Sequence, residues 1–192
     1  MEDYFDEVVF THKDFLYKEF PKGEYEQCTF QNVDFLNANL TKCTFIDCDF
    51  VDCNFSNAKL RDVTFINANF SNCKMLGMHF NECNSFGFSM SFENCQLNDS
   101  SFYQVQLKGT KFVNSKLVSV DFSKADLTNA ILSQCDLLNA TFEQTLLVHT
   151  DFRTSVHYNI NPEKNNIKGA KFSLSSVAGL LNVYKIAIDE TS

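Results

Sequence analysis

Large apolar residues return along this chain every five positions. From Phe30 the series runs Phe35, Leu40, Phe45, Phe50, Phe55, Leu60, Phe65, Phe70, Met75 and Phe80, and Ser85 closes it. A second series starts at Phe92 and runs by fives through Leu97, Phe102 and Leu107 to Phe152. Together they make 25 units, and 24 of the 25 central residues, position i, are Phe, Leu or Met. Position i−2 is small: 23 of 25 are Ala, Cys, Ser, Thr or Val, the exceptions being Met78 and Met90. The other three positions are mostly polar, rich in Asn, Asp, Ser, Thr and Lys.

A period of five fits neither the helical repeat nor the strand alternation. A large and a small inward residue, then polar ones, suit a chain that turns a corner with every unit. Four such units close a square coil, and coils stack through main-chain hydrogen bonds at roughly 4.8 Å. The pattern therefore predicts an all-β solenoid in which each coil contacts only its neighbours.

Composition adds exclusions. The chain has 192 residues, enough for one domain. Its aromatics are 21 Phe and 6 Tyr with no Trp, and its net charge is −8. That balance argues against direct nucleic-acid binding, which needs excess Lys and Arg to neutralise phosphates. No apolar run approaches the roughly 18 residues of a membrane span. The N-terminus is acidic and lacks the basic region of a signal peptide, so a cytoplasmic location is expected.

Cys43, Cys48 and Cys53 look like a ligand cluster, but all eight cysteines (28, 43, 48, 53, 73, 83, 95 and 135) fall at i−2. They read as small inner fillers. Cys28 and Cys48, like Cys53 and Cys73, should stack in adjacent coils, where parallel Cβ vectors do not suit a disulfide. No CxxC pair suggests zinc. The histidines form no HxxxH, and the scattered glycines form no phosphate-cradling loop. Outer Asp and Asn side chains are expected in ladders and turns. The expectation is a non-enzymatic protein with no cofactor and no metal.

Units such as CTFQN, ANLTK, CDFVD, AKLRD, ANFSN and ADLTN resemble the A(D/N)LXX signature of the pentapeptide-repeat proteins over about 28–152. The resemblance implies a right-handed quadrilateral β-helix. On this reading 1–27 form an N-terminal cap, where Phe10, Phe15, Phe20 and Tyr25 keep the spacing but Lys13, Lys18 and Gly23 occupy i−2. The repeat occupies 28–152, and 153–192 form a C-terminal cap and dimerisation segment. Within the repeat, 81–91 shift the frame by two residues. This is either a bulge or a site presenting Phe86 and Phe88 to a partner. Apolar i+1 residues Ile46 and Ile66, and likewise Val118 and Leu138, should stack in pairs, as ladder supports or as partner contacts.

After Phe152, Ile167 and Phe172 echo the second frame. Ser173 or Ser175 can cap a short helix through about Asn182, and Tyr184–Ile188 read as a short strand. The apolar set Val177, Leu180, Leu181, Tyr184, Ile186 and Ile188 is the expected homodimer interface, the alternative being a monomeric cap that buries it. Size, the single frame shift and this tail resemble the Qnr and MfpA subfamily. That resemblance implies a rod that partly mimics DNA, binds DNA gyrase or topoisomerase IV and protects against quinolones. Charge supports mimicry only partly: the segments 1–27, 28–80, 81–152 and 153–192 carry −5, −1, −4 and +2. Six coils span roughly 30 Å at strand spacing, where duplex DNA carries about 18 charges. No long loop interrupts the coils, unlike some Qnr relatives. A general interaction scaffold with another partner is the second reading.

Overall fold

The computed structural model describes residues 3–15 and 20–188. The chain is a parallel β-solenoid. One side of the square is a four-stranded sheet of β1 (Asp3–Asp6), β3 (Gly23–Glu26), β5 (Thr44–Ile46) and β7 (Thr64–Ile66). The next side is a seven-stranded sheet made by β2 (Val9–Thr11), β4 (Thr29–Gln31), β6 (Asp49–Val51), β8 (Ala68–Ser71), β9 (Met90–Glu93), β10 (Lys111–Val113) and β11 (Ile131–Ser133). The other two sides are joined by single parallel bridges, such as Asp34↔Asn54 on one and Ser101↔Asp121 on the other.

Corners lie at i+2, where most of the described residues from Glu7 and Gln27 to His149 adopt φ near +55°, for example Asn32 at 53° and Asn57 at 56°. The left-handed region costs an ordinary L-residue roughly 1–2 kcal/mol, least for Asn and Asp, which explains their abundance there. Asp and Asn at i−1 stabilise the same corners. Their side chains accept the i+1 N–H, as Asp34 does from Leu36 (3.1 Å) and Asp136 from Leu138 (3.2 Å). Outer amides also form the expected ladders: Asn54 donates to Asp34 at 3.0 Å and Asn67 to Asp47 at 2.9 Å.

Central side chains form four columns inside the square. In one, Phe10, Phe30, Phe50, Phe70, Phe92 and Phe112 stack at centroid spacings of 5.1, 4.8, 4.7, 5.5 and 5.0 Å. Rings in neighbouring columns meet edge to face, as Phe50 and Phe55 do at 5.2 Å. Both geometries are favoured by the ring quadrupole.

The ladder runs past both ends of the 28–152 repeat. Asp3 pairs with Gly23 and Phe10 with Phe30, so the N-terminal segment continues the coil. Gly23, at a position expected to hold a filler, is required there: a Cβ would collide with the Asp3 carbonyl oxygen. Phe5, absent from the sequence reading, stacks on Tyr25 at 4.8 Å. Lys18 lies outside the described residues. At the other end Val156 bridges Asp136 and Lys171 bridges Asp151, and Phe172 stacks on Phe152 at 5.4 Å. Tyr158, one place out of phase, is buried where the spacing would place His157, which is exposed.

The expected short helix of the tail forms, as two 3-10 segments, Leu174–Leu180 and Asn182–Tyr184, but Ser173 at the N-cap makes no side-chain cap bond. The strand expected at Tyr184–Ile188 does not form: Tyr184 ends the second 3-10 segment and Lys185 turns the chain with φ 53°. The first segment lies against the last coil, where Ile160 N–H donates to Gly179 O at 3.1 Å.

Phe50 sits between two stacked rings and is fully buried. Phe50→Ala should therefore destabilise the protein by about 3–5 kcal/mol, read as a lower urea midpoint.

Candidate functional site

The inner side chains at i−2 do more than fill space. Cys48, Cys53, Cys73 and Cys135 donate their thiol protons to main-chain carbonyls of Tyr25, Phe30, Phe50 and Phe112 in the coil below, at 3.3–3.4 Å. Ser100, Thr145, Thr150 and Ser155 do the same through hydroxyls at 2.7–3.0 Å. Asn165 repeats the device with its amide, donating to Phe142 O at 2.9 Å. Seven cysteines are buried, and burial pushes the Cys48 thiol up to about 12 and Cys135 up to about 11. Cys83 departs from the expected pattern. It is only half-buried, because the frame shift opens the wall beside it. None of the eight cysteines forms a disulfide.

Asp126 is the one charged residue buried among those described. Burial pushes its carboxyl up. The Thr128 hydroxyl and N–H and the Lys108 ammonium at 3.3 Å outweigh this and hold it below the usual carboxylate value. It therefore braces a corner. The described residues hold no group of three or more His, Cys, Asp or Glu arranged to bind a metal.

Most irregular is the frame shift itself. Below it Phe50 pairs with Phe70, and above it Phe92 pairs with Phe112, a step of twenty positions in each case. Across it Phe70 pairs with Phe92, so this one step is longer by two. The two extra residues fall in the turn Ser85–Phe88. Asn84 Nδ2 donates to Thr64 Oγ1 at 3.1 Å, and Asn67 N–H donates to Ser89 Oγ at 2.8 Å. These two anchors fix the turn to the coil below. Gly87, at φ +66°, passes over Ile66, whose Cδ1 would lie 3.2 Å from an added Cβ. Ile46 and Ile66 are ladder partners on this same side. Four candidate contacts therefore gather here: Ile46, Ile66, half-buried Phe88 packed against the core, and Phe86, which is 77% exposed.

Val118 and Leu138 are elsewhere. They stack in adjacent coils, Ser119 N–H donating to Leu138 O at 2.8 Å, but two corners around the square, on the opposite side. They do not join the Phe86 patch. Of the tail residues, Tyr184, Ile186 and Ile188 are exposed, while Val177 and Leu181 are half-buried. Leu180 packs against the core of its own chain. Leu174 and Val183, not singled out from sequence, are exposed beside them, Leu174 at 91%.

A family model described as a pentapeptide repeat region matches residues 18–84 and 85–161, dividing at the frame shift. The chain belongs to the pentapeptide-repeat family. No curated protein matches it in sequence. Among solved structures, this pentapeptide-repeat protein is similar to two trypsin-treated forms of QnrB1, a plasmid-mediated fluoroquinolone resistance protein. One is 20% identical, with TM-score 0.54, covering 97% of this chain and 100% of that one. The other is 17% identical, with TM-score 0.56, covering 98% and 92%. HetL, a pentapeptide-repeat protein involved in heterocyst differentiation regulation from Nostoc sp. strain PCC 7120, is 14% identical with TM-score 0.42, covering 90% and 85%. At these identities the likeness to the QnrB1 forms is one of fold.

Native thiol labelling should leave seven cysteines of this pentapeptide-repeat protein silent, and Cys83, which is half-buried but whose thiol burial also pushes up, should react before them though only slowly. The thiols also set a pH dependence. A free thiol loses its proton near 8.5, whereas folded Cys48 holds it to about 12 and Cys135 to about 11. Their contribution is complete below the unfolded value and is lost as pH rises toward the folded ones, by up to about 1.4 kcal/mol per pH unit per thiol. Urea midpoints should therefore fall between pH 8 and pH 10.5. The fall should be smaller in the Cys48→Ala, Cys135→Ala double variant.

Proposed function

We propose that this protein is a non-enzymatic, partly DNA-mimicking rod that binds DNA gyrase or topoisomerase IV and lowers their sensitivity to quinolone-type inhibitors. The observation that carries the reading is the acidic surface of the first coils, where Asp3, Asp6, Glu7 and Glu24 face solvent. Above them Asp34, Asp47, Asp49, Asp52 and Asp62 are exposed too, but Lys42, Lys59, Arg61 and Lys74 offset all but one of their charges. A site that holds duplex DNA presents cations, and such a rod offers them anions without bases to read. The resistance function of QnrB1 supports the same direction.

The rod acts as a homodimer joined at its C-terminal ends. The apolar surface of Leu174, Val183, Tyr184, Ile186 and Ile188 lies at that end, and its burial would favour pairing. A twofold rod suits a twofold enzyme. The protein works in the cytoplasm, where topoisomerases are found, and contacts no nucleic acid or membrane itself. Among the described residues no helix is long and apolar enough to cross a membrane.

The Phe86 patch favours a second reading, an interaction scaffold for another protein, because it is apolar and lies apart from the acidic first coils.

A supercoiling assay with gyrase, with and without a quinolone, tests the first reading. Wild-type protein should restore supercoiling in the presence of drug. Protein that neither binds gyrase nor alters inhibition rejects it and leaves the scaffold. Leu174→Asp with Ile186→Asp should give a folded monomer in sedimentation, since both side chains are exposed in the single chain, and should reduce protection at least tenfold. These positions test the interface more cleanly than Leu180→Asp, which would also put a charge against the chain's own core. A wild-type monomer at micromolar concentration rejects the dimer.

A further inference from the structure

Along the side of the square that carries Phe65, each i−1 N–H reaches down to the i−2 carbonyl of the coil below. Asn84 donates to Val63 O at 2.8 Å, Asp126 to Val105 O at 3.0 Å and Leu146 to Ala125 O at 3.0 Å. Gln106 holds the same place one coil above the frame shift. Among the described residues its N–H has no main-chain partner, and the Cys83 carbonyl it would reach is likewise unpaired. The preceding corner shows the same loss. Lys42 donates upward to Arg61 O at 3.1 Å and Gln104 to Ser123 O at 3.0 Å. Glu82, which would serve Tyr103 O, turns back to His79 O at 3.1 Å within the 3-10 turn Phe80–Glu82.

The cause is the two-residue insertion. Residues 84–89 are anchored to the coil below, so the chain parts from the coil above. The parting is a cavity of about 430 Å³ walled by Phe80, Cys83, Ser85, Phe88 and Val105, with Tyr103 and Gln106 on its upper edge. No charged side chain lines it. Ser85 stands where the repeat elsewhere supplies a large inward residue.

We propose that this cleft is a binding site for an uncharged, extended peptide segment of a partner protein. The segment's carbonyl accepts the Gln106 N–H, and its own N–H donates to the Tyr103 carbonyl, restoring the broken ladder from outside. One aliphatic side chain of the segment enters beside Cys83, Phe88 and Val105. Charged ligands are disfavoured, because they would lose hydration against walls that offer no counter-charge. This site does not depend on which partner the rod serves, and it is separate from the acidic coils and the C-terminal end.

The test is an amide NMR titration of the full-length protein with the blocked tripeptide N-acetyl-Gly-Leu-Gly-amide. The expected result is a saturable shift at the Gln106 amide, with smaller shifts at Cys83 and Val105. A matched ester analogue lacks the N–H that Tyr103 O would accept, and it should bind roughly tenfold more weakly. Ser85→Phe puts a bulky ring at the cleft that Ser85 lines and should abolish the Gln106 shift while preserving the rest of the spectrum. No shift at Gln106, or equal binding of ester and amide, overturns the proposal. The ester comparison uses the unaltered protein and decides the matter even if Ser85→Phe does not fold.

Discussion

Everything in this molecule depends on the main-chain ladder that runs along its axis. Parallel coils can share hydrogen bonds only if each repeats the shape of the one below it. That demand fixes a corner at every i+2, and the corner needs a left-handed residue such as Asn57 or Asp62. It also brings identical side chains into line, so that Phe30, Phe50 and Phe70 stack as aligned rings. The carbonyls of the central residues accept hydrogen bonds from Cys, Ser and Thr at i−2 of the coil above. The repeat is thus a single solution to three requirements: a left-handed corner, a ring that stacks on itself, and a small donor that fits beside it.

Much of this was legible in the sequence, because each coil meets the same environment and selection by environment leaves a period. The inward columns, the cysteine position and the Asn–Asp ladders could be read that way. The donor role of the side chains at i−2 could not, since a sequence reports the size of Cys48 and not where its proton points. Continuation of the coil beyond Phe152 showed only in the echo of Ile167 and Phe172, for a related reason. His157 and Pro162 fall at central positions there, and Tyr158 and Ile160 fill the interior out of phase. The tail misled because its apolar run resembles a strand, while Lys185 takes a left-handed turn that a strand does not accommodate.

The functional surfaces divide similarly. Ile46 and Ile66 could be paired by counting once around the coil, and the ladder places them together. That Gly87 would lay the inserted turn over Ile66 needed three dimensions, as did the separation of Val118 and Leu138 onto another side. The frame shift was visible as a change of phase. Its consequence for hydrogen bonding was not, because the anchors Asn84 and Ser89 decide which neighbouring coil keeps the turn.

The insertion at 85–88 also shows how direction is stored in such a rod. The lengthened coil still completes one circuit, so Phe92 lands above Phe70 and every side keeps its compass bearing from end to end. Loss or gain of a whole repeat unit would act differently. It would preserve the stacked interior yet turn everything beyond it by a quarter circle. Surfaces in the lower and upper halves would then face new bearings relative to each other without a change in either. The azimuth between two binding surfaces is in this sense a discrete variable, set by small insertions and held by the ladder.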